Sequence, residues 1–233
     1  MANVTLNVSD GSTAPAWVTH PAGDARHPGL ILFQEAFGVN AHIRDLAGRF
    51  AGEGYVVAAP EMFHRTADPG FEAAYTDFES VRPHVEKLTA DGIAADAAAA
   101  YAFLQRDRRV DPDRIAAIGY CMGGRCAFVA NATLPLRAAV SYYGGGIAPA
   151  LLKRVPNLHG PQLFFWGEKD AKITPAIRAS IIDAFRSVGK AFVNVDMSEA
   201  GHGFFCDQRA AYHADSAAEA WALTLAFLSR NLR

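Results

Sequence analysis

The sequence contains few cysteines, no long apolar run and no excess of charge of either sign, and each shortage excludes a class of protein. Three cysteines among 233 residues are an odd number without the spacing of a disulfide framework. No segment approaches the roughly 18 uninterrupted apolar residues of a membrane-spanning helix, and the first residues lack a basic stretch followed by an apolar one. We therefore expect a soluble, cytoplasmic protein with reduced thiols and no membrane partner.

The charge balance points away from nucleic acid. The 22 Lys and Arg residues nearly cancel the 24 Asp and Glu residues, so the formal net charge is -2. Nucleic-acid binding calls for clustered basic residues, which are missing, and a small-molecule substrate is the better expectation. With 51% hydrophobic residues the chain can bury a substantial core. We expect one domain over residues 1–233, as a monomer or a weak homo-oligomer.

Apolar runs alternate with helical patterns along the chain. Strands are predicted at residues 4–8, 16–20, 29–33, 55–59, 115–119, 138–142, 162–166 and 191–197, and helices at 42–53, 91–108, 175–188 and 211–228. Residues 61–90 are less regular: their aromatic side chains are candidates for a pocket lining, and an ordinary surface helix and loop is an equally good interpretation. This order predicts an α/β fold with a mainly parallel, doubly wound sheet and an antiparallel N-terminal edge.

The segment Arg114 to Arg125 carries the most specific motif. An apolar strand leads into Gly119-Tyr-Cys-Met-Gly-Gly124, and a helical pattern follows. This pattern is typical of a nucleophile elbow, the strained strand-to-helix turn of the α/β-hydrolase fold. Side chains at Gly119 and Gly123 would collide with the neighbouring strand and helix. Cys121 is therefore the predicted nucleophile, in the place that serine usually occupies.

Two further residues complete a catalytic set. Asp170 directly follows the predicted strand 162–166, and His202 follows the last predicted strand within a glycine-flanked loop. A histidine accepts the thiol proton and a carboxylate fixes its tautomer. The chain order of Cys121, Asp170 and His202 is the order of nucleophile, acid and histidine in α/β-hydrolases.

Backbone groups supply the predicted oxyanion hole. In this fold one N–H group comes from the residue after the nucleophile and the other from a loop after an early strand. Met122 and Ala36 are the candidates. Tyr143, Phe37 and Phe204 are candidate substrate contacts near these loops, whereas Cys126 is expected to face the core. The histidines His42, His64, His84 and His213 have no paired metal-ligand spacing, so we expect no metal and no cofactor.

With these residues in view, the chain resembles the dienelactone hydrolase family, also called carboxymethylenebutenolidases, over essentially its whole length. The resemblance rests on the elbow motif, on Gln34-Glu-Ala-Phe-Gly-Val-Asn40 and on Ala200-Gly-His202. It implies the α/β-hydrolase fold, cleavage of dienelactone to maleylacetate, a triad of Cys121, Asp170 and His202, and no metal or cofactor. It also implies that Glu35 contacts the resting thiol and takes part in its activation.

The resemblance further implies arginines that hold a substrate carboxylate, since a guanidinium pairs with a carboxylate through two hydrogen bonds. Arg82 and Arg209 are the candidates. Cys206 lies four residues after His202, where the family pattern has an arginine. This departure leaves the reaction class unchanged and leaves the substrate open.

Two other functions remain as alternatives. One is a broader carboxylesterase or thioesterase of the same fold, which only substrate profiling separates from a lactone hydrolase. The other is a non-hydrolytic redox sensor that uses Cys121 as its switch. The acid and histidine argue against a sensor, which needs a low thiol pKa but no aligned general base. Replacing His202 by Ala would abolish hydrolysis but spare thiol oxidation.

Overall fold

The apolar runs of the sequence form an eight-stranded sheet in the computed structural model, which describes residues 2–233. The strands are β1 (Ala2–Asn7), β2 (Thr13–Thr19), β3 (His27–Phe33), β4 (Val56–Pro60), β5 (Val110–Tyr120), β6 (Ala139–Tyr142), β7 (Gln162–Gly167) and β8 (Phe192–Met197). Their order across the sheet is β1-β2-β4-β3-β5-β6-β7-β8. The pairs β1/β2 and β2/β4 are antiparallel, and the strands from β4 through β8 pair in parallel. The predicted parallel sheet with an antiparallel N-terminal edge is therefore confirmed.

Six α-helices connect and cover the strands. They are α1 (Ala41–Gly52), α2 (Phe78–Lys87), α3 (Ala90–Arg106), α4 (Met122–Asn131), α5 (Pro175–Ser187) and α6 (Ala214–Asn231), and a 3₁₀ helix spans Leu152–Asn157. Side-chain caps fix several starts: Asn40, Thr89 and Thr174 each accept a hydrogen bond from the backbone N–H group three residues later. None of the helices in residues 2–233 is long and apolar enough to cross a membrane.

Two elements differ from the sequence-based prediction. Helix α2 lies within residues 61–90, for which no element bounds were predicted from the sequence. Its apolar pattern is weak because it buries Val81 alone and carries Pro83 in its interior. Strand β5 begins at Val110 rather than near residue 115, because Asp111, Pro112 and Asp113 interrupt the apolar run. The register against β3 shifts at Pro28/Gly29 to accommodate this irregular start.

The parallel strands place the candidate residues at one edge of the sheet. Glu35 follows β3, Cys121 follows β5, Tyr143 follows β6, Asp170 follows β7 and His202 follows β8. Since parallel strands end at the same edge, five loops that are distant in sequence meet there. The core below them is apolar and fully buried, and Cys126 lies in it, as predicted.

Candidate active site

Cys121 sits in a strained turn between β5 and α4. Its backbone has φ 53° and ψ -120°, a conformation that side-chain-bearing residues rarely adopt. A Cβ atom at Gly119 would overlap the carbonyl group of Gly123, and one at Gly123 would overlap the carbonyl oxygens of Phe33 and Gln34. The steric reason predicted for these two glycines is therefore confirmed, and β3 and α4 approach the turn as closely as their backbones allow.

The structure brings Cys121, His202 and Asp170 into contact. The thiol Sγ of Cys121 lies 3.1 Å from Nε2 of His202, and Nδ1 of His202 lies 2.7 Å from Oδ2 of Asp170. The second carboxylate oxygen, Oδ1, accepts hydrogen bonds from the backbone N–H groups of Lys172 and Ile173 at 2.8 and 3.2 Å. The side chain of Asp170 is 2% exposed and that of His202 is 19% exposed. The imidazole is thus held from one side and faces the thiol with the other.

Electrostatics in this group favour a charged imidazole. Burial lowers the pKa of His202, but the hydrogen bonds to Asp170 and to Cys121 outweigh it and raise that pKa to about 10. Burial likewise raises the pKa of Asp170, yet His202 and the two backbone donors bring it below its usual value.

The two backbone positions predicted to form the oxyanion hole follow β5 and β3. Met122 is the first residue of α4, and the first N–H groups of a helix have no acceptor within it. Ala36 lies in the buried loop after β3. Gln34 fixes that loop, since its amide donates to the carbonyl oxygen of Glu35 and accepts from the N–H group of Met62. One predicted position thus begins a helix and the other lies in a loop, both after strands that end at the carboxyl edge of the sheet.

Glu35 is paired differently from what the resemblance implies. Within the described residues its hydrogen-bonding partner is Arg209, whose Nη1 donates to Oε1 at 3.1 Å, while the thiol of Cys121 faces His202. The implied contact of Glu35 with the resting thiol is therefore absent from this structure. Burial raises the pKa of Glu35, and Arg209 opposes that rise. The acid is thus held by a salt bridge to Arg209, and the thiol is held by His202.

Aromatic rings hold Arg209 in place. Its guanidinium carbon lies 5.6 Å from the ring centre of Phe37 and 5.5 Å from that of Tyr75, and the two rings meet edge to face. Tyr75 belongs to the region that the sequence left irregular, and its aromatic character was the signal for a pocket lining. Arg209, Phe37 and Glu35 thus form one group beside the catalytic contact.

Tyr143 and Phe204 form an aromatic pair beside the imidazole of His202. The ring of Tyr143 lies 5.1 Å from that of His202, and Phe204 packs against Tyr143 at 5.4 Å. Tyr143 has a positive φ of 38°, so the chain turns sharply after β6. Both residues are buried and contact the imidazole directly or through one ring.

Arg82 does not join these groups. It lies on α2 with a half-exposed side chain and pairs with Glu79, and none of its hydrogen bonds in the described structure reaches a site residue. Cys206 and His42 are both buried. The spacing of His42 in the sequence did not indicate that it lies beside the site. His64, His84 and His213 have hydrogen-bond partners in Asp96, Thr66 and Ser216.

Comparison with known proteins identifies the family of this chain. The model of the dienelactone hydrolase family matches residues 14–232. A carboxymethylenebutenolidase of Pseudomonas putida is 32% identical over 230 residues, covering 97% of this chain and 95% of the relative. A Synechocystis protein assigned as a carboxymethylenebutenolidase is 35% identical over 214 residues, covering 88% and 87%. A crystal structure of an assigned dienelactone hydrolase from Klebsiella pneumoniae superposes with a TM-score of 0.89 at 32% identity, covering 98% of this chain and 97% of that one.

Proposed function

This chain belongs to the dienelactone hydrolase family of ester-bond hydrolases, and from that premise we propose that it opens a small lactone or activated ester through Cys121, His202 and Asp170. The favoured substrate is dienelactone, with maleylacetate as product. The name of the Pseudomonas putida relative supports this choice. The observation that carries the proposal is the continuous contact from the thiol through the imidazole to the carboxylate.

The first chemical step is attack of the thiolate of Cys121 on the ester carbonyl. The proton of the thiol passes to Nε2 of His202, and Asp170 stabilises the resulting imidazolium through Nδ1. The developing oxyanion takes hydrogen bonds from the N–H groups of Met122 and Ala36. When the carbonyl re-forms, the alkoxide or enolate leaves with the proton of His202 and an acyl thioester remains.

Water completes the reaction. His202 accepts a proton from a water molecule that attacks the thioester, and it returns this proton to the sulfur of Cys121 when the acid leaves. A thiolate expels an enolate or phenolate more readily than an ordinary alkoxide. The enzyme is therefore suited to activated esters and to enol lactones such as dienelactone.

Arg209 is the proposed partner for a substrate carboxylate. Its guanidinium is held over Phe37 and Tyr75, and its side chain is 19% exposed, whereas that of Glu35 is 1% exposed. An incoming carboxylate would compete with Glu35 for Arg209 and release the acid next to the thiol. Tyr143 and Phe204 supply apolar surface for the lactone ring. Arg82 stays a weaker candidate, because it would have to leave Glu79.

The decisive experiment follows the ultraviolet absorbance of dienelactone with the wild-type protein, Cys121→Ala and Cys121→Ser in parallel. We expect the wild type to consume dienelactone and both variants to lose activity. Hydrolysis by Cys121→Ala at the wild-type rate would refute the nucleophile. If the wild type cleaves p-nitrophenyl acetate but not dienelactone, the broader esterase replaces the lactone hydrolase.

A further inference from the structure

A second group of buried ligand-type side chains lies next to the catalytic contact. Glu35, His42 and Cys206 each place one oxygen, nitrogen or sulfur atom so that all three atoms lie within 4.8 Å of one another. The three residues are 1%, 0% and 0% exposed. They come from the loop after β3, from α1 and from the loop after β8, so their spacing in the sequence does not predict the group.

The group is short of hydrogen bonds. Oε2 of Glu35 and both ring nitrogens of His42 are buried without a hydrogen-bond partner among the described residues. Buried polar atoms are nearly always satisfied, so unpartnered atoms on two of the three residues indicate a missing partner. Arg209 does not fill this need, because it bonds to the other oxygen of Glu35. Nδ1 of His42 also lies 3.7 Å from Oδ1 of Asp207, which gives one ring nitrogen a carboxylate within reach.

We propose that Glu35, His42 and Cys206 bind a divalent metal ion of the zinc class. Thiolate, imidazole and carboxylate are the ligand types that zinc takes, and thiolate excludes the harder magnesium and calcium ions. Glu35, the thiolate of Cys206 and the adjacent Asp207 carry three negative charges, which balance a divalent cation together with Arg209, and the thiol proton of Cys206 passes to solvent on binding. Metal-bound histidines usually have a carboxylate at the second ring nitrogen, the position that Asp207 can take.

The consequence for catalysis rests on the proposed function. A metal ion on Oε2 holds Glu35 in place and keeps a positive charge beside Arg209, so the acid cannot move when substrate arrives. The metal is therefore an inhibitor rather than a cofactor of the hydrolase. Its site is distinct from the thiol of Cys121, which faces His202.

Cobalt(II) titration tests the site without relying on activity. Cobalt bound by a thiolate gives a charge-transfer band in the near ultraviolet, and zinc should abolish it by displacement. We expect one equivalent of cobalt to produce this band in the Cys121→Ser protein, where the catalytic thiol is absent. We expect no band in Cys206→Ser, and a cobalt affinity at least about tenfold weaker in His42→Gln.

Matched controls separate the possible outcomes. Cys126→Ala removes the other buried cysteine and should leave the band unchanged, and thermal melts show which variants fold. His42→Gln keeps the test valid if Cys206→Ser fails to fold. A band that disappears in Cys121→Ser and persists in Cys206→Ser would place the metal on the catalytic thiol and overturn the proposal. Absence of any band in the wild type would also overturn it.

Inhibition is measured separately with p-nitrophenyl acetate. Zinc should inhibit the wild type, and Cys206→Ser should need at least about tenfold more zinc for the same loss of rate. Equal zinc sensitivity of the two proteins would refute the inhibitory role. If the wild type does not hydrolyse any ester, the cobalt band still decides whether the metal site exists, so the two proposals fail independently.

Discussion

The carboxylate of Asp170 orients His202 and also holds the loop after β7, and a substitution that removes only its charge distinguishes the two roles. Its Oδ2 faces Nδ1 of His202, and its Oδ1 accepts two backbone hydrogen bonds that close the loop after β7. An asparagine has nearly the same shape and can keep the loop contacts. It lacks the negative charge, however, and its amide can present a donor to the imidazole.

We therefore expect Asp170→Asn to fold but to lose activity. The hydrogen bond to Asp170 raises the pKa of His202, so the variant should show a pKa below the value of about 10, with the imidazole held in the wrong tautomer. The value of kcat for p-nitrophenyl acetate should fall by about 10² to 10⁴-fold. Stopped-flow kinetics measure the rate, and NMR of the imidazole protons measures the pKa.

A thermal melt serves as the control for this variant. A melting temperature close to that of the wild type would show that the loop after β7 is intact. Full activity in a folded Asp170→Asn protein would rule out the proposed part of the carboxylate in the mechanism.

Contacts between residues could be anticipated from sequence where the residues follow strands, and not where side-chain packing alone decides them. Cys121, Asp170 and His202 each follow an apolar run, and parallel strands must end at one edge, so their meeting could be predicted. The pairing of Glu35 with Arg209 depends on side-chain conformations in two distant loops. The approach of His42 to Cys206 depends on how α1 packs, which no local pattern encodes.

At the level of elements, the turn between β5 and α4 depends on two glycines. Gly123 lies in the first turn of α4, where its backbone touches the carbonyl oxygens at the end of β3. An added methyl group cannot fit unless the helix moves away from the strand. Such a movement would also shift Met122 and the thiol, because both belong to the same turn.

Gly123→Ala should therefore reduce both stability and activity. We expect the free energy of unfolding to drop by about 2 to 3 kcal/mol, the upper range for a single substitution, measured by urea denaturation. Gly48→Ala is the matched control, since Gly48 lies within α1 and an added Cβ atom meets nothing within 4 Å. That change should raise stability by about 0.5 to 1 kcal/mol. Equal effects of the two substitutions would show that the close approach of β3 and α4 is unimportant.

The elements themselves could be predicted when burial produces a clear pattern. The strand from Leu30 to Phe33 is fully buried and reads as an uninterrupted apolar run. Helix α2 buries one residue, and the sequence left it open with no bounds, because its stability depends on the cap at Asp77 and on contacts with its surroundings rather than on an apolar stripe.

At the scale of the whole molecule, one buried carboxylate joins three parts of the chain. Asp96 on α3 is fully buried and accepts hydrogen bonds from both terminal nitrogens of Arg65 at 2.8 Å, and Nε2 of His64 lies 2.9 Å away. Arg65 also donates through Nε to Asp10 in the turn between β1 and β2. These hydrogen bonds connect three parts of the chain on the side of the sheet that carries α3: the antiparallel edge, the segment that follows β4, and α3 itself.

Asp96→Ala should loosen this junction and destabilise the fold as a whole. Breaking a buried ion pair costs about 3 to 5 kcal/mol when the remaining charge stays buried. The side chain of Arg65 is 29% exposed and keeps Asp10 as a partner, so we expect the lower end of this range in urea denaturation. Asp91→Ala on the same helix is the control, because Asp91 is 94% exposed and its pair with Arg154 is worth less than about 1 kcal/mol. An equal loss in the free energy of unfolding for the two variants would show that the hydrogen bonds of Asp96 stabilise the fold no more than a surface ion pair does. Apolar packing alone would then hold the three segments together.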